Sequence, residues 1–182
     1  MLLDELTSDP GETQRIARRV ISAMAYPGRL QACREARAEA VLSAFAPVGV
    51  PVHVTGRAEA AGCAAPRGLS LAAPEAAAVV VMAGAEAADL LADLRRGSLQ
   101  HPQEGALAVI MLDALAADAS GHLTVFGPGP IGVCRILAGG LSPRWAARRA
   151  EVNAGFPMGV DALLIGPDGT MLGLPRHVKL EG

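Results

Sequence analysis

A single α/β domain, with helices packed on the faces of a mixed sheet, is the fold class this sequence predicts, and three observations carry the prediction. The apolar run Ala77 to Met82, the helical pattern Ala85 to Arg96 and the apolar run Leu107 to Leu112 follow one another, the order of a crossover unit in a partly parallel sheet. Asp168-Gly169 lies between the apolar stretches Val160 to Ile165 and Thr170 to Leu174, the signal of an antiparallel hairpin. The 182 residues fit one domain, since domains typically use about 100 to 200.

The elements follow in chain order. Asp9 can cap a helix that has Pro10 in its first turn and Glu12 three residues after the cap. Ile16, Val20, Ile21 and Met24 then share one face, opposite Gln14, Arg15, Arg18 and Arg19, so this helix docks on the body of the domain. Pro27-Gly28 ends it in a turn. Ala-rich sequence from Arg34 to Phe45 predicts a second helix, and Val50 to Val54 a short strand. Gly56, Gly62, Pro66 and Gly68 predict irregular chain between Thr55 and Pro74.

Three successive valines in the Ala77 to Met82 run predict a strand buried on both faces. Leu90, Leu91 and Leu94 face inward from the following helix, which Arg95, Arg96 and Gly97 close. Leu123 to Phe126 and Val133 to Leu137 predict two strands joined around Gly127-Pro128-Gly129-Pro130. A helix from Pro143 to about Ala154 precedes the final hairpin.

Composition excludes several function classes. No stretch reaches the roughly 18 apolar residues of a membrane span, and Asp4 and Glu5 stand where a signal peptide would be basic, so a cytoplasmic protein is expected. Net charge is -2, with few aromatic residues, which argues against nucleic acid as a partner. Cys33, Cys63 and Cys134 are odd in number and far apart, so neither a disulfide framework nor a zinc site is expected. His53, His101, His122 and His177 never recur at the spacing that places two imidazoles on one helix face, so no metal is expected. Lys179 is the single lysine, which argues against a Schiff base with pyridoxal phosphate (PLP).

Rigid turns with nearby polar residues supply the remaining candidates. Gly127-Pro128-Gly129-Pro130-Ile131-Gly132 lacks the Gly-Lys-Ser/Thr ending of a P-loop, and its prolines remove donors, so a rigid turn is favoured over a phosphate cradle. Tyr26-Pro27-Gly28-Arg29 has the centre of a type II turn; Arg29 beyond it is a candidate to hold an anion, although an Arg in that place is more often solvated. Asp161 enters an apolar strand, where a carboxylate needs a partner, and a loop-fixing role is preferred to a catalytic one. Arg176 beside His177 is a candidate phosphate clamp. No G-x-S-x-G elbow and no G-x-G-x-x-G fingerprint occurs.

Taken in order, these turns resemble the PhnH family. The resemblance is carried by Met24, Pro27, Gly28 and Arg29, then by Arg96, Gly97 and Pro102, and then by Gly127, Pro128 and Gly129. Asn153, Phe156, Pro157, Gly159, Val160 and Asp161 follow, and Leu174, Pro175 and Arg176 close the series. The chain departs from the pattern at Tyr26, Pro130 and His177 and across its Ala-rich middle.

The resemblance implies one domain over residues 1–182, a three-layer α/β/α sandwich similar to PLP-dependent transferases, without PLP. It also implies association with PhnG, PhnI and PhnJ in the carbon-phosphorus lyase core complex. There methylphosphonate displaces adenine from ATP to give ribose 1-methylphosphonate 5-triphosphate, with PhnI as the catalytic subunit. The ligand or interface candidates are Arg29, Gly127, Pro128, Gly129, Phe156, Pro157, Gly159, Asp161, Pro175 and Arg176. Two rival readings stand beside this one. The first is a free-standing enzyme holding a phosphorylated metabolite with Arg29, Arg176 and the Gly127 to Gly132 loop. The second is a structural subunit that forms a homodimer when isolated.

Overall fold

The computed structural model describes residues 10–63, 68–126 and 132–182. Its chain order is α1 (Pro10–Ala25), β1 (Gln31–Ala32), α2 (Ala38–Phe45), β2 (Pro51–Val54), α3 (Gly56–Ala60), β3 (Ser70–Leu71), β4 (Val79–Ala83) and α4 (Ala87–Leu90). Then come β5 (Leu107–Met111), β6 (Ala114–Ala117), β7 (Leu123–Phe126), β8 (Val133–Gly139), α5 (Trp145–Val152), β9 (Asp161–Ile165), β10 (Thr170–Leu174) and β11 (Lys179–Glu181).

The strands form two sheets where the sequence predicted one. A seven-stranded mixed sheet runs β1-β10-β9-β5-β4-β2-β3, and a four-stranded antiparallel sheet runs β11-β7-β8-β6. In the larger sheet β3, β2, β4, β5 and β9 are mutually parallel, whereas β10 alone is reversed, pairing antiparallel with β9 on one side and β1 on the other. The predicted crossover is present, with Val79 opposite Leu107 and Ala83 opposite Met111 in parallel register. The predicted hairpin is present too, with Met171 opposite Ile165. Its turn is stapled by Asp168, whose carboxylate accepts from the Thr170 N–H and hydroxyl, each at 2.9 Å.

Side chains alternate across the larger sheet and divide the core in two. Val79, Val81, Val109, Leu163, Ile165 and Met171 share an apolar cluster with Ile16 and Val20 of α1, Val41 and Leu42 of α2, and Ala58 of α3. Val80, Met82, Ile110, Leu164 and Leu172 face the other way. There they meet Ala87 and Ala88 of α4, Trp145 of α5, and Leu123, Val125 and Ile136 of the smaller sheet. The second sheet therefore covers part of this face, where helices alone were expected.

Other departures are local. α2 begins at Ala38 and not at Arg34, because Gln31 and Ala32 pair with Met171 and Thr170 as an edge strand. Ile21 is 60% exposed, and the buried stripe of α1 passes through Ala23 instead. The region after Thr55 contains α3, capped by the Thr55 hydroxyl accepting from the Ala58 N–H at 3.2 Å. The predicted helix to Arg96 is regular only over α4, after which Asp93 bonds back to Leu90 in tighter turns. These turns still bury Leu91 and Leu94.

Candidate functional site

The residues of three separate turns meet in one polar knot at the amino end of β9. Asp161 is its centre: Oδ1 accepts from the Arg176 backbone N–H at 2.7 Å and from Arg176 Nε at 3.2 Å, while Oδ2 accepts from Nη2 at 2.6 Å. Arg176 Nη1 donates to the carbonyls of Pro102 at 2.6 Å and Pro157 at 3.2 Å. The Gly159 N–H donates to the Arg96 carbonyl at 2.9 Å. Asn153 clasps the same loop, with Oδ1 accepting from the Val160 N–H at 2.8 Å and Nδ2 donating to the Val160 carbonyl at 3.2 Å.

Gly159 is required here by geometry. Its φ is +152°, and a Cβ would come within 2.5 Å of Asn153 Oδ1 and 3.3 Å of Arg176 Cβ, so a side chain would push the two clasps apart. Asp161 thus finds the Arg and backbone N–H partners that a loop-fixing carboxylate needs. Arg176, read as a phosphate clamp, is instead bound up: its guanidinium makes bonds to Asp161, Pro102 and Pro157. A fork turned inward on a carboxylate has little left for an anion in solution.

Beside the knot lies a cleft of about 650 Å³ between α5 and β11. Phe126, Ala146, Ala150, Val178 and Leu180 supply apolar walls, and Asn153, Phe156, Arg176, His177, Lys179 and Glu181 complete it. Phe156 is 65% exposed although its loop is tied on both sides. It follows a fixed backbone into the cleft, joined to Pro157 by a cis peptide bond.

The floor of the cleft contains a residue that sequence reasoning missed. Arg149 is 3% exposed. Its Nη1 donates to the Val178 carbonyl at 2.8 Å, and its Nη2 to the Leu174 and Pro175 carbonyls at 2.9 and 2.6 Å. It thereby anchors the segment between β10 and β11. The guanidinium lies over the Trp145 ring, 5.9 Å from its centroid. Burial pushes its pKa down to about 10, only partly opposed by the field of Asp161. A signal was present: Trp145, Arg149 and Val152 recur at helical spacing, which puts the arginine on the buried stripe of α5.

The other candidates are scattered. Arg29 is exposed at the end of a turn in which its N–H donates to the Tyr26 carbonyl at 3.1 Å and Gly28 has φ +90°, the predicted type II geometry. It does not line the cleft. Pro175 contributes its carbonyl to Arg149. Gly127, Pro128 and Gly129 lie outside the described residues, immediately after Phe126 at the cleft wall.

A second crevice, of about 680 Å³, opens at the carboxyl ends of β4, β5 and β9, where open α/β sheets commonly bind ligands. Gly84, Asp113, Gly166, Arg37 and Glu39 are on its walls. The single lysine, Lys179, lines the first cleft. Among the described residues no cluster of His, Cys, Asp or Glu could hold a metal ion, and no helix is long and apolar enough to cross a membrane.

These features define a mixed α/β domain whose polar residues around Asp161 and Arg149 hold its own loops together beside a mainly apolar cleft. Residues 5–181 match the model of the bacterial phosphonate metabolism protein family PhnH, and the chain belongs to that family. It is 30% identical over 178 residues to the putative C-P lyase subunit protein HtxG of Stutzerimonas stutzeri, with 93% of this chain and 87% of that protein covered.

Proposed function

We propose that this chain is a non-catalytic subunit of a carbon-phosphorus lyase complex, docking to partners of the PhnG, PhnI and PhnJ kinds. Membership of PhnH carries the reading, together with the description of its relative as a C-P lyase subunit. The site supports docking over chemistry: Asp161 and Arg176 are bound to each other, while the exposed Phe156 stands on a tied loop. A rigidly displayed aromatic residue suits an interface, because little side-chain and loop freedom remains to be lost on binding.

On this reading the chain supports formation of ribose 1-methylphosphonate 5-triphosphate from ATP and methylphosphonate in the cytoplasm, with the chemistry on a partner. The reading carries with it a three-layer architecture similar to that of PLP-dependent transferases, which the apolar clusters on both faces of the larger sheet support. PLP is not expected, because the only lysine sits on the exposed short strand β11, away from the crevice at the strand ends. A homodimer of the isolated chain is compatible with the same surfaces.

The test is a tagged pull-down from cells grown with a phosphonate as the only phosphorus source, read by mass spectrometry. Recovery of the PhnG, PhnI and PhnJ kinds of subunit is expected. Recovery of the chain alone, with those subunits expressed, would refute the reading and return attention to a free-standing enzyme.

A further inference from the structure

Among the described residues, no carboxylate is paired with the Arg149 charge. Its bonds run to three backbone carbonyls, and among the described residues no carboxylate lies within ion-pair distance of it. The carboxylate that acts on it through space is Asp161, which Arg176 already engages. Two guanidinium groups thus share one carboxylate beneath the cleft, which among the described residues leaves one positive charge in excess. Arg149 Nε is buried with no hydrogen-bond partner. At the rim Lys179 and Glu181 offset each other, and on α5 Arg148 is paired with Glu151 at 2.7 Å. The excess is therefore that of Arg149.

The surroundings restrict what can balance it. Arg149 turns its Nη groups toward backbone carbonyls, so no free fork awaits a phosphate or phosphonate. The walls are mainly apolar, and an apolar wall screens a buried charge less than solvent does. An anion on an apolar stem, entering beside an exposed aromatic ring, fits both properties. Acidic side chains in a polypeptide have that form.

We propose that the cleft between α5 and β11 receives an acidic segment of a partner subunit, with a carboxylate over Arg149 and an apolar neighbour against Phe156. The proposal rests on the complex-subunit reading and names the surface and the chemistry through which it acts.

Ala150 provides the test, being exposed on α5 and part of the cleft wall. Ala150→Glu would put a carboxylate from the chain itself beside Arg149 at a position where Glu is a good helix former. The full chain, immobilised, is titrated with the assembly of C-P lyase subunits recovered by the wild-type pull-down. Ala150→Glu should weaken binding by about tenfold or more, with the thermal midpoint no lower, and the uncharged Ala150→Gln should stay within about twofold of wild type. Wild-type affinity should also fall as salt is raised.

Wild-type affinity from Ala150→Glu, equal losses in the two variants, or salt-independent binding would each overturn the proposal while leaving the complex-subunit reading in place. Calorimetry showing that Ala150→Glu loses binding of methylphosphonate or ATP, with partner affinity unchanged, would overturn it in favour of a small anion. A wild-type chain that binds none of those subunits would sink both readings.

Discussion

Replacing Asp161 tests whether the knot is the fastening the geometry describes. The pair is substantially buried, with side-chain exposures of 12% for Arg176 and 26% for Asp161, so solvent screens it little. Asp161→Asn retains an oxygen for the Arg176 backbone N–H and Nε, but sets an amide donor against Nη2, where the wild type has a 2.6 Å contact. Losing one charge-assisted bond of that kind costs about 1.5–3 kcal/mol. Asp161→Ala removes all three acceptor contacts and strands the Arg176 charge, at about 3–5 kcal/mol. Against a typical domain stability of about 5–15 kcal/mol, that second loss is severe. Urea unfolding would measure both, as a falling midpoint at constant slope. An Asn variant within about 0.5 kcal/mol of wild type would place it among neutral surface changes and refute the argument.

Other consequences follow from neighbouring contacts. Gly159→Ala, at φ +152° with Asn153 Oδ1 in the way, should destabilise by about 1–3 kcal/mol in the same assay. Arg149→Met keeps apolar bulk but leaves the Leu174, Pro175 and Val178 carbonyls without their donor. It should cost about 2–4 kcal/mol and speed hydrogen exchange at β11 before the rest of the sheet. Burial raises the Cys63 thiol from 9.0 to about 12, with Glu39 and Glu59 adding to the effect. The unfolded chain therefore ionises first, and the contribution of Cys63, fully present below pH 9, is lost as pH rises toward 12. Cys63→Ala should flatten that alkaline decline, and the native thiol should resist alkylation at pH 8 while the half-buried Cys134 reacts. Phe156→Ala should leave the thermal midpoint unchanged, since the ring is 65% exposed, yet weaken partner recovery in the pull-down.

Much of the fold was legible because its signals are local. β7 and β10 occur over the predicted residues, and the valine run predicts the interior strand β4 to within two residues at its start and one at its end. All three depend on near neighbours in the chain: apolar side chains at strand length, bounded by turn residues. β6, with sequence Ala-Leu-Ala-Ala, and the short edges β1, β3 and β11 carry no such pattern. They become strands because a partner strand satisfies their backbone groups, a condition outside any local window.

The candidate site divides in the same way. Gly28 and the Asp168-Gly169 turn were readable from the conformations their residues favour. So was the need of Asp161 for a partner, which follows from the cost of burying a carboxylate alone. That the partner is Arg176, 15 residues onward, was decided by pairing β9 with β10 in antiparallel register. Tertiary packing also decided that Arg149 should be a buried cation under a cleft, since α5 covers the carbonyls between β10 and β11. The sequence by itself thus determined the class of domain, its turns and its family resemblance. The choice between bound-up and unbalanced charges belongs to the tertiary structure, because electrostatic balance depends on separations in space that chain order does not set.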